Sequence, residues 1–328
     1  MAVMVAGGAG YIGSHTVAAL LEKGYEVVVV DSLVKGHRKA VKGATLYVGD
    51  IRDKEFMNSV FARHQIAGVI HFAADIEVGL SMKDPLAFYR NNVYTVICML
   101  ESMKDFNVEH IVFSSSAAVY GYPNTIPITE DMEKAPINPY GETKLIVEKM
   151  LHWCEESYGI HWAALRYFNA AGAHSSGSIG ESHNPETHII PIVLQAALGI
   201  LESISVFGND YDTPDGTCIR DYVHVTDLAD AHILALEFLK KGGASDSFNL
   251  GSGKGFSVNE IIDMAREVTR REINAVIAPR RLGDPARLVA DSTKARRLLS
   301  WKPQYEDINS IISSAWKWHF GHPQGYEE

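Results

Sequence analysis

Short apolar runs alternate with longer helical patterns over the first half of the chain. Residues 2–6 are apolar, and residues 26–30 form a β-branched run that contains four consecutive valines after Glu26. A strand that is apolar at every position is buried on both faces, which is typical of a parallel sheet covered by helices. The same patterns predict strands at 45–48, 68–72, 110–113 and 162–165 and helices at 12–23, 54–64, 85–105 and 139–158.

Repeated strand–helix–strand units favour an α/β fold, a Rossmann-type doubly wound parallel sheet. After about residue 170 the pattern changes, because residues 171–187 are rich in Gly, Ser, His and Asn and are interpreted as a long ordered loop. The elements predicted beyond it are helices at 188–201, 225–240, 257–270 and 308–319 and a strand at 203–206. We therefore predict a larger domain over residues 1–170 and a smaller α/β domain over residues 171–328, packed on the first.

Composition excludes several classes of protein. The 328 residues include 40 acidic and 30 basic ones, and a net charge of −10 argues against a nucleic-acid partner. No apolar run approaches the ~20 residues that span a bilayer, and the N-terminus has no basic region typical of a signal peptide. Three scattered cysteines argue against a disulfide framework or a zinc module, so we predict a reducing cytoplasm and no metal site.

A glycine-rich turn follows the first predicted strand and opens the first helix. Its sequence, GGAGYIG from Gly7, lets the backbone approach a pyrophosphate, and the helix N-terminus offers N–H groups to the phosphates. Asp31 ends the next strand, where a carboxylate would accept hydrogen bonds from a ribose and repel a 2′-phosphate, which favours NAD over NADP. Asp50 follows a further strand, and its position fits either a contact with the adenine end or a helix cap.

Tyr140 and Lys144 form the candidate catalytic pair. A helix that begins at Pro139, with Asn138 as its cap, places them within ~40° of each other on the core-facing side. We expect the Lys144 cation to lower the pKa of the Tyr140 phenol by charge proximity and so create a general base. Ser116 ends a predicted strand and could share the same substrate oxygen. The alternatives are an ordinary helical Tyr with a Lys that reaches solvent, and a serine that only caps the strand end.

Several motifs occur together and in order. They are GGAGYIG, SSSAAVYG from Ser114, NPYGETK from Asn138, RYFNAAGA from Arg166, RDYVHVTDLADAH from Arg220, APRRLGDPA from Ala278 and HPQGY from His322. With them the chain resembles the extended short-chain dehydrogenase/reductase family, and within it the UDP-sugar 4-epimerases. The similarity runs from residue 3 to residue 326.

The resemblance implies an NAD-dependent isomerase that interconverts UDP-galactose and UDP-glucose. Tyr140 would take the proton of the sugar 4-hydroxyl while NAD takes the hydride from C4. The 4-keto sugar would then rotate, and the hydride would return to its opposite face. Lys144 would keep the phenol acidic and hold the nicotinamide ribose, and Ser116 would bridge the 4-oxygen. The cofactor carries the redox chemistry in this scheme, and the protein supplies orientation and acid–base groups.

The resemblance and the glycine turn also assign the binding residues. NAD is expected to be held tightly and recycled. The residues expected to bind it are Gly7, Gly10, Tyr11, Ile12, Gly13, Asp31, Ser32, Asp50, Ile51, Phe72, Ala73, Ala74, Asn91, Ser114, Tyr140, Lys144 and Phe168. Those expected at the UDP-sugar are Ser116, Tyr140, Asn169, His188, Phe207, Arg220, Arg281, Asp284 and Leu288. The family further implies a cytoplasmic homodimer, and helices 85–105 and 139–158 are long enough for an intersubunit bundle.

Some positions depart from the family pattern. Ile76 lies where some members carry a lysine, next to the unexpected Glu77, and Ala118 replaces a hydroxyl residue. His188 stands where some members have an asparagine. Leu288 stands where some have a tyrosine beside the sugar 2-substituent, so activity on N-acetylated UDP-sugars is left open.

Three alternative functions remain for the same scaffold. A 4,6-dehydratase would need carboxylates after Ser116, where this chain has Ala117 and Ala118. A uronate epimerase would need an extra cation, and none is identified. A dinucleotide-binding protein without catalysis is possible because fold alone does not fix function, but such a protein would not need Tyr140, Lys144 and Ser116.

Overall fold

The computed structural model describes residues 1–281 and 284–326. Its strands, in chain order, are β1 (Ala2–Ala6), β2 (Val27–Asp31), β3 (Thr45–Val48), β4 (Ile66–His71), β5 (His110–Ser116), β6 (His161–Tyr167), β7 (Asn169–Ala171), β8 (Ile204–Phe207), β9 (Ile219–His224), β10 (Asp246–Leu250), β11 (Gly255–Ser257), β12 (Ala275–Ala278) and β13 (Arg287–Leu288). Its α-helices are α1 (Tyr11–Glu22), α2 (Lys54–Phe61), α3 (Val78–Ser81), α4 (Pro85–Phe88), α5 (Thr95–Asp105), α6 (Pro139–Tyr158), α7 (Ile189–Ala197), α8 (Val225–Lys240), α9 (Val258–Thr269), α10 (Thr293–Leu298) and α11 (Ile308–Gly321).

The larger sheet has seven strands in the order β10-β6-β5-β4-β1-β2-β3, and every neighbouring pair is parallel. Strand β1 lies between β2 and β4, so the order reverses there, as in doubly wound dinucleotide-binding folds. The predicted fold class is confirmed. The structure adds that β10 comes from the second half of the chain and completes this sheet.

Two apolar cores cover the faces of this sheet. Along β1 the side chains alternate, so that Val3 and Val5 pack on the face covered by α1 and α8, while Met4 packs on the face covered by α2, α5 and α6. All five residues of β1 and of β2 are buried. The absence of polar alternation in these runs is therefore explained by helices on both sides.

A smaller part of the molecule is built from the second half of the chain. Strand β9 pairs with β7, β11 and β13, while β8 pairs with β12. Helices α7, α9 and α11 pack together over a third apolar core. The division at residue 170 stays a prediction, since β6 leads almost directly into β7 and links the two sheets.

The predicted helix over 85–105 is interrupted. Helix α4 passes into a π-helical stretch, Tyr89–Tyr94, before α5 begins. The reason is a buried polar side chain: Asn92 accepts a hydrogen bond from the backbone of Asp75 at 2.7 Å and donates one back at 2.9 Å. The wider turn lets Asn92 reach the loop after β4. Among the described residues, no helix is both long and apolar enough to cross a membrane.

Arg166 on β6 and Glu148 on α6 form a buried ion pair. They are 4% and 6% exposed, and two hydrogen bonds of 2.9 and 2.5 Å join the guanidinium to the carboxylate. Arg166 also donates to the Tyr120 hydroxyl and to Ser247 of β10, and Ser115 of β5 donates to Glu148. This network joins α6 to three adjacent strands.

We expect Arg166→Met to lower the free energy of unfolding by about 3–5 kcal/mol, because it leaves the Glu148 carboxylate buried and unpaired. Urea denaturation at neutral pH measures the effect. The control is Lys54→Met, which breaks the exposed pair with Asp105 and is expected to cost less than about 1 kcal/mol. Equal effects for the two variants would contradict the assignment of a structural role to the buried pair.

Candidate active site

The carboxyl ends of β1, β2, β4, β5 and β6 meet at one edge of the large sheet, because all of these strands are parallel. The order of strands reverses between β1 and β4, which opens a crevice at that edge. The glycine turn, Asp31 and the candidate catalytic serine all follow directly from these strand ends. The structure therefore places the residues predicted from separate motifs around one crevice.

The glycine turn packs against the loop after β4. Gly7 has φ +77°, and a Cβ there would lie 2.6 Å from the backbone nitrogen of Ala73. A Cβ on Gly13 would lie 2.2 Å from the carbonyl oxygen of Gly7, so a side chain at either position is excluded. Gly10, the N-cap of α1, makes no side-chain cap, which leaves the first N–H groups of the helix facing the crevice. Free N–H groups at the N-terminus of a helix fit a pyrophosphate.

Asp31 is fixed beside this turn. Its Oδ2 accepts from the backbone N–H of Ala9 at 2.9 Å and its Oδ1 from that of Leu33 at 2.8 Å. The side chain is largely buried, whereas the following Ser32 is exposed. A carboxylate held in this way keeps lone pairs for the hydroxyls of a ribose, which agrees with the choice of NAD made from the sequence.

Asp50 is paired with a residue that the sequence analysis missed. Arg52 donates to both carboxylate oxygens of Asp50 and also to the side chain of Asn91 at 2.9 Å. Arg52 lowers the pKa of Asp50. This network orients two of the predicted cofactor residues, and the adjacency of Arg52 to Asp50 in the sequence was the only signal for it.

Glu77 has a local partner across the mouth of the crevice. Lys35, in the loop after β2, donates to Glu77 at 2.7 Å and to Asp75 at 2.8 Å. The neighbouring Ile76 is exposed. The acid that was unexpected from the family pattern therefore ties the loop after β2 to the loop after β4.

Ser116, Tyr140 and Lys144 come together at the end of β5. Helix α6 begins at Pro139, and the Asn138 side chain accepts from the N–H of Gly141 at 2.8 Å, as predicted. The Lys144 ammonium is 2% exposed, donates to the carbonyl of Ser114 at 2.8 Å, and lies 5.7 Å from the centre of the Tyr140 ring. The Ser116 Oγ accepts from the backbone N–H of Ala118 at 3.1 Å and lies close enough to the Tyr140 phenol to act on its pKa.

The expected lowering of the Tyr140 pKa by Lys144 is not found in this arrangement. Burial raises the pKa of the phenol, and the Ser116 hydroxyl only partly opposes it. The ammonium lies over the ring instead of at the hydroxyl, so its charge acts weakly on the oxygen. Burial also lowers the pKa of Lys144 to about 7, against the attraction of Glu148. The sequence showed the pair, but not that desolvation dominates both groups.

Other predicted cofactor residues lie in the loops that surround the crevice. Tyr11 donates to the carbonyl of Gly172 at 2.6 Å, which joins α1 to the end of β7. The Ser114 hydroxyl is hydrogen-bonded to the Tyr167 hydroxyl, one residue before Phe168. Of the remaining predicted positions, Ile12 lies in the first turn of α1, Ile51 lies in the loop after β3, and Phe72, Ala73 and Ala74 follow β4.

The predicted substrate residues are grouped by the smaller sheet. Leu288 of β13 pairs with Arg220 of β9, and Arg220 is ion-paired with Asp284. The Arg281 guanidinium lies 4.1 Å from the centre of the Phe207 ring. Asp284, the partner of Arg220, also donates its backbone N–H to the carbonyl of Arg281 at 3.4 Å, so both arginines border Asp284. Cations of this kind are suited to an anionic nucleotide.

Asn169 lies on the same smaller sheet, whereas His188 lies at the end of the segment before α7. Asn169 donates to the backbone carbonyl of Asp221 at 2.9 Å, where β7 joins β9. The imidazole of His188 lies against the carboxylates of Glu181 and Glu186, at 2.8 and 3.1 Å. Although burial opposes it, these carboxylates raise the pKa of His188 to about 10 and that of His183 to about 9. A contact between the His188 side chain and a nucleotide stays a prediction.

Comparison with known proteins agrees with this geometry. Residues 3–251 match the model of the NAD dependent epimerase/dehydratase family. The chain belongs to this family. The family is NAD dependent, and NAD is accordingly the cofactor of this member, whose glycine turn and Asp31 fit it.

Similar proteins cover nearly the whole chain. A UDP-glucose 4-epimerase of Halalkalibacterium halodurans is 56% identical over 326 residues, which are 99% of this chain and 98% of that protein. A crystal structure of UDP-glucose 4-epimerase from Brucella ovis in complex with NAD is 46% identical, with a TM-score of 0.95 over 97% of this chain and 98% of that one. The UDP-glucose 4-epimerase from Bifidobacterium longum in complex with NAD+ and UDP is 40% identical, with a TM-score of 0.94 over 99% and 100% of the two chains.

The free energy of unfolding of wild type is compared with that of a Lys144→Met variant. As the pH increases from 7 to 9, we expect the wild-type value to rise relative to the value of the variant. Burial holds the folded pKa of Lys144 near 7 while the unfolded value stays near 10.5. Between these values the unfolded chain binds a proton that the folded chain has lost, so raising the pH favours the folded state. The expected gain is about 2 kcal/mol over those two pH units.

Urea denaturation of the apoprotein at several pH values measures this difference. Lys149→Met is the control, since Lys149 is an exposed lysine on the same helix. If wild type and Lys144→Met change in parallel with pH, the burial of an ionisable amine at this position is not the cause.

Proposed function

We propose that this chain interconverts UDP-galactose and UDP-glucose by inverting C4 of the sugar, with NAD retained and recycled. The observation that carries the proposal is the convergence of Ser116, Tyr140 and Lys144 at the crevice edge. Its support is the similarity, over nearly the full length, to proteins named UDP-glucose 4-epimerase. We assign to the cofactor and the substrate the residues predicted above.

Tyr140 is the acid–base residue of the proposed reaction. Its hydroxyl and that of Ser116 can both reach one substrate oxygen, and the phenol can take and return the proton of the sugar 4-hydroxyl. Because burial raises the pKa of the phenol, its anion needs a cation nearby. We assign that role to Lys144, whose amine lies 5.7 Å from the centre of the ring, although in the free protein its charge acts only weakly on the phenol oxygen. Bound NAD supplies the hydride acceptor and donor for C4. Oxidation and reduction cancel, so the net reaction is an isomerisation.

The substrate diphosphate would bind between Arg220 and Arg281. Charge-assisted bonds to a diphosphate are strong, and Asp284 holds the Arg220 guanidinium in place. The same scaffold would catalyse dehydration only with carboxylates after Ser116, whereas here Ala118 donates its backbone N–H to Ser116 Oγ at 3.1 Å. Leu288 is half-buried and packs near Phe168. Because leucine is smaller than the tyrosine that some family members have beside the sugar 2-substituent, UDP-N-acetylglucosamine/UDP-N-acetylgalactosamine 4-epimerase activity is a second candidate.

The test is the incubation of UDP-galactose with the purified enzyme and no added cofactor. We expect UDP-glucose to accumulate to equilibrium, and UDP-N-acetylgalactosamine in a parallel reaction reports what Leu288 permits. Tyr140→Phe should lose about 10²–10⁴-fold in kcat because its acid–base group is removed. It should still carry NAD, measured by absorbance of the denatured supernatant.

Tyr158→Phe, the same substitution at the exposed end of the same helix, is the matched control and should keep wild-type activity. Turnover that requires added NADPH would refute the internal redox cycle. Full activity of Tyr140→Phe would refute the assigned base.

We further propose that the protein is a cytoplasmic homodimer joined through α5 and α6. Helices α3, α4, α5 and α6 pack side by side on one face of the sheet, and large apolar side chains are exposed on α4, on α6 and directly after α3. The most exposed are Leu86 at 72%, Trp153 at 67% and Met82 at 62%. Such a patch is typical of an interface, and three free cysteines fit a reducing compartment.

We expect the Trp153→Glu variant to elute as a monomer, because it replaces a large exposed apolar side chain of this surface with a charge. Light scattering after size exclusion gives the mass, and wild type should have twice the chain mass. Phe320→Glu is the control, since Phe320 is a similarly exposed aromatic residue on α11. A monomeric wild type, or a dimer that survives Trp153→Glu, would exclude this interface.

A further inference from the structure

A cluster of histidines and glutamates lies in the segment that joins β7 to α7. We refer to Glu181, His183, Glu186 and His188 as the Glu-His cluster. One ligand-type atom from each side chain lies within 4.8 Å of the others. The spacing of two, three and two residues places all four within eight positions, so a single loop forms the arrangement.

The distances fit one small cation. His183 Nδ1 lies 3.2 Å from Glu181 Oε1, and His188 Nδ1 lies 2.8 Å from the same oxygen. Glu186 contributes its two oxygens at 3.1 Å from His188 and 3.7 Å from His183. Four ligands at the usual zinc distances are separated by about 3.4 Å in a tetrahedron, in the middle of this range.

Two buried atoms of the cluster have no hydrogen-bond partner. They are Glu181 Oε1 and His183 Nδ1, and Glu181 is only 4% exposed. Glu181 Oε1 is therefore within contact distance of two imidazole nitrogens without an aligned N–H. The other two ligand-type atoms, His188 Nδ1 and Glu186 Oε1, are hydrogen-bonded at 3.1 Å. Buried polar atoms are nearly always paired, so the two unpartnered atoms indicate a missing ligand between them.

The charges of the Glu-His cluster also support a bound cation. The side chains of Glu181 and Glu186 are 5% and 6% exposed. Within residues 1–281 and 284–326, neither carboxylate is ion-paired with a lysine or an arginine. A dication would displace the protons that the carboxylates hold on the two imidazoles, and two neutral imidazoles with two carboxylates around it again make a neutral unit, which a buried site favours.

We propose that the Glu-His cluster binds one divalent transition-metal ion, with Zn²⁺ as the fitting occupant. Imidazole nitrogen together with carboxylate oxygen favours zinc over calcium or magnesium, which prefer oxygen ligands alone. Four protein ligands leave no open position, so the ion is structural and not catalytic. This proposal differs from the sequence prediction, which named no metal site, and it directs His188 Nδ1 toward the ion.

The ion would join parts of the chain that are distant in sequence. Within this segment the Ser182 carbonyl contacts His37 Nε2 at 2.9 Å, and the Glu181 carbonyl accepts from Trp318 Nε1 at 2.9 Å. The ring of Tyr11 lies edge-on to that of His183, 6.2 Å between centres. Fixing the Glu-His cluster therefore stabilises the loop that meets the glycine turn and the C-terminal helix.

The test uses untagged full-length enzyme, stripped with chelator, incubated with Zn²⁺ and dialysed against metal-free buffer. We expect about one zinc per chain by plasma mass spectrometry, and a melting temperature about 5 °C higher than that of the stripped protein. The double variant Glu181→Gln with His183→Gln should retain less than a tenth of that zinc and lose the shift in melting temperature.

The matched control is His174→Gln, because His174 belongs to the same loop but not to the Glu-His cluster. It should bind zinc as wild type does. Co²⁺ added to stripped wild type should give the strong visible absorption of a four-coordinate site, which keeps the test valid if the double variant does not fold. The proposal would be overturned if wild type retains no zinc and shows no such Co²⁺ spectrum. It would also be overturned if zinc persists in the double variant, because that result would indicate an adventitious ion only.

Discussion

The parallel order of the large sheet is the constraint on which the active site depends. Because all seven strands point the same way, each strand that ends at the crevice edge delivers its following loop to the same place. The glycine turn after β1, Asp31 at the end of β2 and Ser116 at the end of β5 are far apart in the sequence and become neighbours for this reason alone. The reversal between β1 and β4 keeps the crevice open, since the chain leaves these two strands toward opposite faces of the sheet.

The position of the catalytic helix α6 depends in turn on buried charge. Arg166 and Glu148 join α6 to the strands beneath it, and Lys144 lies one helical turn before Glu148. A buried ion pair is weak evidence for stability, but it defines one orientation of the helix because any other orientation leaves a charge unpaired. The Tyr140 phenol is thereby held beside Ser116. The low exposure that raises the pKa of Tyr140 and lowers that of Lys144 is the consequence of the same packing.

The segment between β7 and α7 connects the two halves of the active site. Tyr11 of the first helix bonds to Gly172 at the start of this segment, and the C-terminal helix contacts it through Trp318. The Glu-His cluster lies at its far end, next to the helix that follows. An ion at the Glu-His cluster would hold one end of this segment, and the edge of the sheet would hold the other end. This would explain why so many polar residues are concentrated in a segment with little periodicity.

The sequence by itself determined the class of fold, the glycine turn, the choice of NAD and the identity of the Tyr–Lys pair. These features are local: apolar runs, a glycine spacing and a helix cap at Asn138 are visible without knowing which residues meet. Only the tertiary structure decided the rest. Strand β10 joined the large sheet, Arg52 paired with Asp50 and Asn91, and burial outweighed the Lys144 charge at Tyr140. Each of these depends on which side chains lose water and which distant partners they meet, and neither composition nor spacing encodes that directly.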